Sequence, residues 1–324
     1  MEFPRAALNV QRGLALLMLA AALGAAVVES RSPFSAKVRD LKPWPFWLSV
    51  REPGRAAPPA VHLGVYDPLR RSLVLIRIPD STKLQGKLTT ARAYVDALRA
   101  TDDEASATRA VEDLAQMKIS ALSLEPISWE GAGRLTLELA PDEDDDEPAV
   151  AAARALKGRG RSPRALWPLL RRAAAGLSRG DGAAADALLL TLELRRTPLE
   201  SLEPALLPDD AAAPAYLGRA FAPGAAAAPE ESRPIVAEVL NGTDVQGLAT
   251  QAAKILRSKG VDVMEIKQAS RPRSRTVVYD RTGDFDRAAR VRAALGCPTA
   301  IAATRIDALR GVDASVELGE DCRF

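Results

Sequence analysis

The stretch IVAEVLNGTDVQGLATQAAKIL, residues 235–256, decides the fold of the C-terminal part of the chain. Ile235 to Leu240 reads as a strand, and Asn241-Gly242 as the turn that ends it. Thr243 is placed to cap a helix, and Gln246 three residues later completes a capping box. Val245, Leu248, Ala249, Ala252, Ala253 and Leu256 then share one helical face. Gly260, after Arg257 and Lys259, is a usual helix end. Working outward, Val261 to Ile266 is a second strand and Arg275 to Asp280 a third. Asp284 caps a second helix carrying Phe285, Ala288, Ala289 and Leu295, and Val312 to Leu318 closes the unit. The order βαββαβ predicts a split βαβ, ferredoxin-like domain over 234–324, with room for a short extra strand near Ala300.

These residues resemble the C-terminal module of the LytR-CpsA-Psr cell-envelope proteins. The likeness lies in Val239-Leu240-Asn241-Gly242-Thr243 with Gly247-Leu248-Ala249, in Thr276-Val277-Val278-Tyr279, and in Val316-Glu317-Leu318-Gly319-Glu320-Asp321. Asn241, Gly242, Thr243 and Gly247 are accounted for physically as a turn and a cap, so they are expected to be structural.

With that family in view, 61–208 is similar to a degenerate, shortened form of its catalytic domain; the alternative is an unrelated α/β domain. Val61 to Val65 and Ser72 to Ile78 read as strands around an Asp67-Pro68 turn, and Lys87-Leu88 opens a helix. The family's strand ends in Ile-Pro-Arg-Asp-Thr, whose arginine and aspartate serve a pyrophosphate and its metal. This chain has Ile78-Pro79-Asp80-Ser81-Thr82, with Asp80 where the arginine would stand. Arginine binds phosphate bidentately and an aspartate cannot replace it. Phosphoryl transfer is catalysed mainly by positioning and charge neutralisation, so the expected role is non-catalytic. The rival reading is a divergent phosphotransferase that moves polyprenyl-pyrophosphate-linked glycans to peptidoglycan. Its binding candidates are Lys83, Lys87, Arg154 and Arg161, together with Asp80, which would repel the pyrophosphate unless a metal intervened.

Toward the N-terminus, Leu14 to Val28 is uninterrupted Leu, Met, Ala, Val and one Gly. That length is short for a spanning helix of ~20 residues and also suits the apolar core of a secretory signal. An uncleaved anchor over 13–29 is the preferred reading. Arg5 and Arg12 lie upstream, so residues 1–12 stay cytoplasmic and the bulk of the chain is extracytoplasmic. Residues 30–60 contain six prolines and read as a juxtamembrane linker. Trp44, Phe46 and Trp47 within it either sit at the bilayer interface or pack on the following domain. Asp209 to Glu231, within a stretch drawn as 209–233, reads as an Ala- and Pro-rich interdomain linker. Leu88 to Ala100 and Glu104 to Lys118 are helical in composition, and Asp142 to Glu147 is a solvated acidic loop.

Arg154, Lys157, Arg159, Arg161, Arg164, Arg171 and Arg172 concentrate positive charge. They read as a solvated helix face, or as a surface for anionic lipid or polyphosphate.

Composition narrows the function. A length of 324 residues suggests about two domains at ~150 residues each. Net charge is +2, which gives no general argument for nucleic acid. His62 is the one histidine, so multi-histidine metal sites are excluded and nothing around it suggests a triad. Cys297 and Cys322 are the two cysteines, too few for a four-cysteine zinc site. In an exported chain they either join as a disulfide or remain two free thiols. The expectation is an α/β protein with an N-terminal anchor and no cofactor or metal. Its partners would be the membrane and peptidoglycan or an envelope glycopolymer.

Overall fold

A computed structural model describes residues 29–30, 32–51, 60–79, 133–139, 148–159, 163–179, 183–208, 213–221 and 233–324. The apolar run at 14–28, the helices expected at 88–100 and 104–118, and the acidic run at 142–147 lie outside the described residues. Among the described residues no helix is long and apolar enough to cross a membrane.

The elements in chain order are α1 (Pro33–Arg39), β1 (Trp44–Arg51), β2 (Ala60–Asp67), β3 (Ser72–Arg77), β4 (Gly133–Glu138), α2 (Pro148–Arg159), α3 (Pro163–Arg179), α4 (Ala183–Arg196) and β5 (Leu202–Leu206). There follow α5 (Ala213–Phe221), β6 (Ile235–Asn241), α6 (Leu248–Ser258), β7 (Val261–Gln268), β8 (Val277–Asp280), α7 (Phe285–Leu295), β9 (Ile301–Thr304) and β10 (Ala314–Leu318). All the strands join one mixed sheet in the order β4-β1-β2-β3-β5-β9-β8-β10-β6-β7.

The described part of the stretch 30–60 is therefore helix and strand, not linker. Ser32 caps α1, accepting from Ser35 N, and Trp44 to Arg51 form a strand paired on both sides. Pro45 is tolerated there because pairing with β4 begins only at Phe46, so no neighbour on that side needs its missing N–H. Alternation then divides the strand. Trp44, Phe46, Leu48 and Val50 enter a core with Phe34, Tyr66, Leu73, Leu75, α2 and α4. Trp47 faces the other side, with Leu63, Val65, Ile76 and Tyr216. The aromatic cluster is thus domain core, not a bilayer-interface belt. The β2–β3 hairpin closes as expected at Asp67, whose Oδ1 accepts from Leu69 N (2.9 Å) and Arg70 N (3.2 Å).

The stretch 209–233 is also not wholly linker. Ala213, Tyr216 and Leu217 fall on one helical face, and α5 buries them against Ala205 and Leu207.

The C-terminal order is βαββαββ, and it is not a split βαβ. In a split arrangement a strand of the other unit separates each parallel pair. Here β6 and β7 are direct parallel neighbours, as are β8 and β9. β10 returns between the two units, parallel to β6 and antiparallel to β8. The strand near Ala300 exists as β9 and extends the module toward β5. The helix after β6 starts later than its capping box suggests. Gly247 is the N-cap, at φ 78°, and Thr243 Oγ1 instead accepts from Val245 N (3.2 Å) within the turn.

The module is joined to the rest of the chain by sheet and core together. β5 pairs with β9 at Ala205 and Thr304. Val277, Tyr279, Ile301 and Ala303 of the module belong to the same core cluster as Trp44 and Phe46. A second core under α6 and α7 fills the opposite face of the module.

Candidate functional site

The conspicuous turn of the sequence, Asn241-Gly242-Thr243, sits at the end of β6 and is held entirely from within. Asn241 Oδ1 accepts from Thr243 N (3.1 Å) and Thr243 Oγ1 (2.9 Å), and its Nδ2 donates to Val245 O (3.0 Å). Gln268 Nε2 donates to Thr243 O (3.1 Å). Gly242 N donates to Leu318 O (2.9 Å), and Gly242 O accepts from Arg273 N (2.7 Å). A Cβ on Gly242 would lie 2.5 Å from Leu318 O, so only glycine lets the turn meet the end of β10.

Beside this turn, Asp321 Oδ1 accepts from Thr276 N (2.7 Å) and Thr276 Oγ1 (2.9 Å), and Gly319 N donates to Thr276 Oγ1 (2.9 Å). Cys297 and Cys322 are joined, with their Cα atoms 5.8 Å apart. The bond ties the chain end to the loop after α7. By the chain-entropy model a loop of that size stabilises by ~3 kcal/mol. Cys297, Asp321 and Cys322 are the only described side chains close enough together to suggest metal ligands. With both sulfurs in the disulfide and Asp321 Oδ1 engaged by Thr276, they offer no thiolate site.

A second polar cluster lies across β6 and β10. Glu238 Oε1 accepts from Ser315 Oγ (2.5 Å) and Arg310 Nη1 (2.5 Å), and Arg281 Nε donates to Ser315 Oγ (2.7 Å). Arg281 lies 4.9 Å over the Tyr279 ring, and its Nη1 donates to Arg305 O (3.3 Å). Burial lowers the Arg281 pKa, with Arg310 and Arg305 adding to the effect. Two of the guanidinium nitrogens are engaged in these contacts and the side chain is buried, so the cluster ties β6, β8 and β10 together.

At the seam between β5 and the module, carboxyl groups gather. Asp280 Oδ1 accepts from Thr282 N (2.9 Å), Thr282 Oγ1 (3.1 Å) and Gly283 N (3.0 Å), while Oδ2 has no hydrogen-bond partner among the described residues. Burial raises its pKa against those hydrogen bonds. Glu203 on β5 is pushed up from 4.5 to about 8, first by burial and then by Asp280 and Asp286. A carboxyl raised by folding favours the fold below its ordinary pKa and loses that contribution as pH climbs toward the folded value. Glu203→Gln should therefore leave the melting temperature unchanged at pH 4 and raise it at pH 9. The gain should be about 1–2 kcal/mol, because the side chain keeps some solvent contact. Thermal denaturation of both proteins at the two pH values checks this.

Of the anion-site candidates, Arg154 is the one among the described residues. Asp80, Lys83, Lys87 and Arg161 lie outside the described residues. Arg154 projects from α2 toward the module, and its Nη2 donates to Thr276 O at 3.4 Å. That bond bridges the seam. His62 is fully buried and its pKa falls to about 3, first from burial and then from Arg77. It stays neutral and inaccessible, and serves no triad.

The geometry defines a compact α/β module whose signature residues build loops. Residues 235–321 match the model of the family described as LytR cell envelope-related transcriptional attenuator. Residues 235–321 of the chain are therefore a LytR C-terminal module. A solved structure titled as the C-terminal domain of RV0431 is similar over 28% of this chain and 78% of that one, at 21% identity and a TM-score of 0.21. No curated protein matches.

Proposed function

We propose that this protein is a single-pass, membrane-anchored envelope protein whose extracytoplasmic body carries the LytR C-terminal module as a non-catalytic binding or scaffolding unit for cell-wall or glycopolymer assembly. The observation that carries this reading is the use of the module's signature residues. Asn241, Gly242, Thr243, Thr276 and the Oδ1 oxygen of Asp321 are engaged with one another and with nearby backbone. Such a module offers a rigid surface, and the signature oxygen not engaged in this way, Asp321 Oδ2, is buried from solvent.

The shared sheet supports the same view. The module continues the sheet of the preceding domain and shares a core cluster with it. The apolar run at 14–28, with Arg5 and Arg12 upstream, supports the anchor and its orientation. Glycopolymer phosphotransfer is the competing function, and it would need the segment containing Asp80, Lys83 and Lys87.

The experiment is co-sedimentation of the purified chain with peptidoglycan sacculi, alongside an assay for polyprenyl phosphate released from a lipid-linked pyrophosphate donor. Sedimentation without release is expected. Release that is abolished by Lys87→Ala would establish the phosphotransferase instead.

A further inference from the structure

We infer that the outer face of α3 docks on an anionic lipid surface; the inference rests on the anchor reading above. α3 is apolar on two sides. Its inner side places Leu166, Leu169 and Ala173 against Leu188 of α4. Its outer side carries Trp167 (63% exposed), Leu170 (46% exposed) and Ala174, at helical spacing. A helix covering a water-soluble core has a polar outer face, so this second stripe is out of place in water.

The charges around the stripe define what would cover it. Arg164, Arg171 and Arg172 are all exposed, and the helix contains no acidic residue. A tryptophan and a leucine ringed by arginines suit the boundary between headgroups and acyl chains. The indole and leucine enter the apolar margin while the guanidinium groups reach the phosphates. A soluble polyanion would engage the arginines and leave Trp167 and Leu170 in water.

The chain path brings this helix near the bilayer. Ser32 Oγ donates to Asp186 Oδ1 (2.5 Å), and Phe34 N donates to the same oxygen (3.4 Å). Asp186 is in the first turn of α4, the helix on which α3 packs. The apolar run ends at Val28, and the few residues from there to Ser32 span at most about 14 Å. The α3–α4 hairpin is consequently tethered close to the point where the chain would leave the membrane.

The test uses the full chain reconstituted into vesicles of phosphatidylcholine and phosphatidylglycerol containing a shallowly brominated lipid. Tryptophan emission is compared between the wild type and Trp167→Phe, so that the difference reports Trp167 alone. The expected result is a Trp167 component quenched in anionic vesicles and released by ~0.5 M salt. The double variant Arg171→Gln/Arg172→Gln should lower the docked-to-free ratio about thirtyfold. Both arginines are exposed, and circular dichroism confirms that the variant is folded.

Equal quenching in the wild type and Trp167→Phe would overturn the inference. So would quenching that persists unchanged in vesicles without anionic lipid, or a Trp167 blue shift with polyphosphate and no vesicles. Alkaline extraction of the same vesicles reports the anchor separately. A chain released by alkali refutes the anchor, and salt-sensitive quenching of Trp167 still decides the docking of α3.

Discussion

Trp44→Ala should destabilise the protein by about 3–5 kcal/mol, read from urea or thermal denaturation. The indole is fully buried, stacked 5.2 Å from the Phe46 ring and 4.8 Å edge-on from Phe34, which in turn lies 5.8 Å from Tyr66. These rings pack together between α1, β1 and β2, so removing the indole takes away the largest side chain of this core. The same substitution would cost under about 1 kcal/mol if Trp44 belonged to a bilayer-interface belt, because a single exposed ring contributes little to folding. The measurement therefore separates the two roles that the sequence leaves open for this cluster.

The second large effect is expected at Gly319. A Cβ built there falls 2.3–2.5 Å from the Arg275 backbone atoms N, Cα and C. Backbone on both sides cannot yield as a flexible side chain would. Gly319→Ala should force the end of β10 away from the start of β8 and break the Gly319 N to Thr276 Oγ1 bond. A loss of about 3 kcal/mol is expected by denaturant unfolding. Gly158→Ala is the control, since nothing lies within 4 Å of its Cβ position, and in a helix it should be neutral or slightly stabilising. Equal effects at the two glycines would show that the turns around Thr276 are slack.

Local patterning accounts for what could be read from the sequence. The strand from Ile235, the helical face from Leu248 to Leu256, and the Asp67 hairpin each depend on neighbours within a few residues, and each forms where periodicity and turn chemistry place it. The order of strands in the sheet depends on pairings between distant segments. β10 reaches its place between β6 and β8 only through contacts made across the whole module, so the split arrangement was a wrong choice between topologies with nearly the same element string. Pro45 and Pro53 made 30–60 look irregular. The alternation of Trp44, Phe46, Leu48 and Val50 was the signal for β1, and the edge position of Pro45 is what lets it survive.

The candidate site divides along the same line. Asn241, Gly242, Thr243 and Gly247 stand out in sequence because their geometry is demanding, and the structure gives each a local structural task. The seam carboxyls were missed. Glu203, Asp280 and Asp286 come from separate elements, and their interaction is a product of the β5–β9 junction. Trp167 was passed over because one tryptophan in an arginine-rich helix has no distinctive spacing. Its meaning comes from which side of α3 packs on α4.

The central claim is that the body of the chain, with its LytR C-terminal module, is displayed outside the cytoplasm on an N-terminal anchor. The most direct measurement is a topology reporter, alkaline phosphatase fused after Phe324, compared with a cytoplasm-dependent reporter at the same site. Arg5 and Arg12 upstream of the apolar run predict an active phosphatase fusion and a silent cytoplasmic one, with the phosphatase signal retained in the membrane fraction. An active cytoplasmic reporter together with an inactive phosphatase would contradict the account.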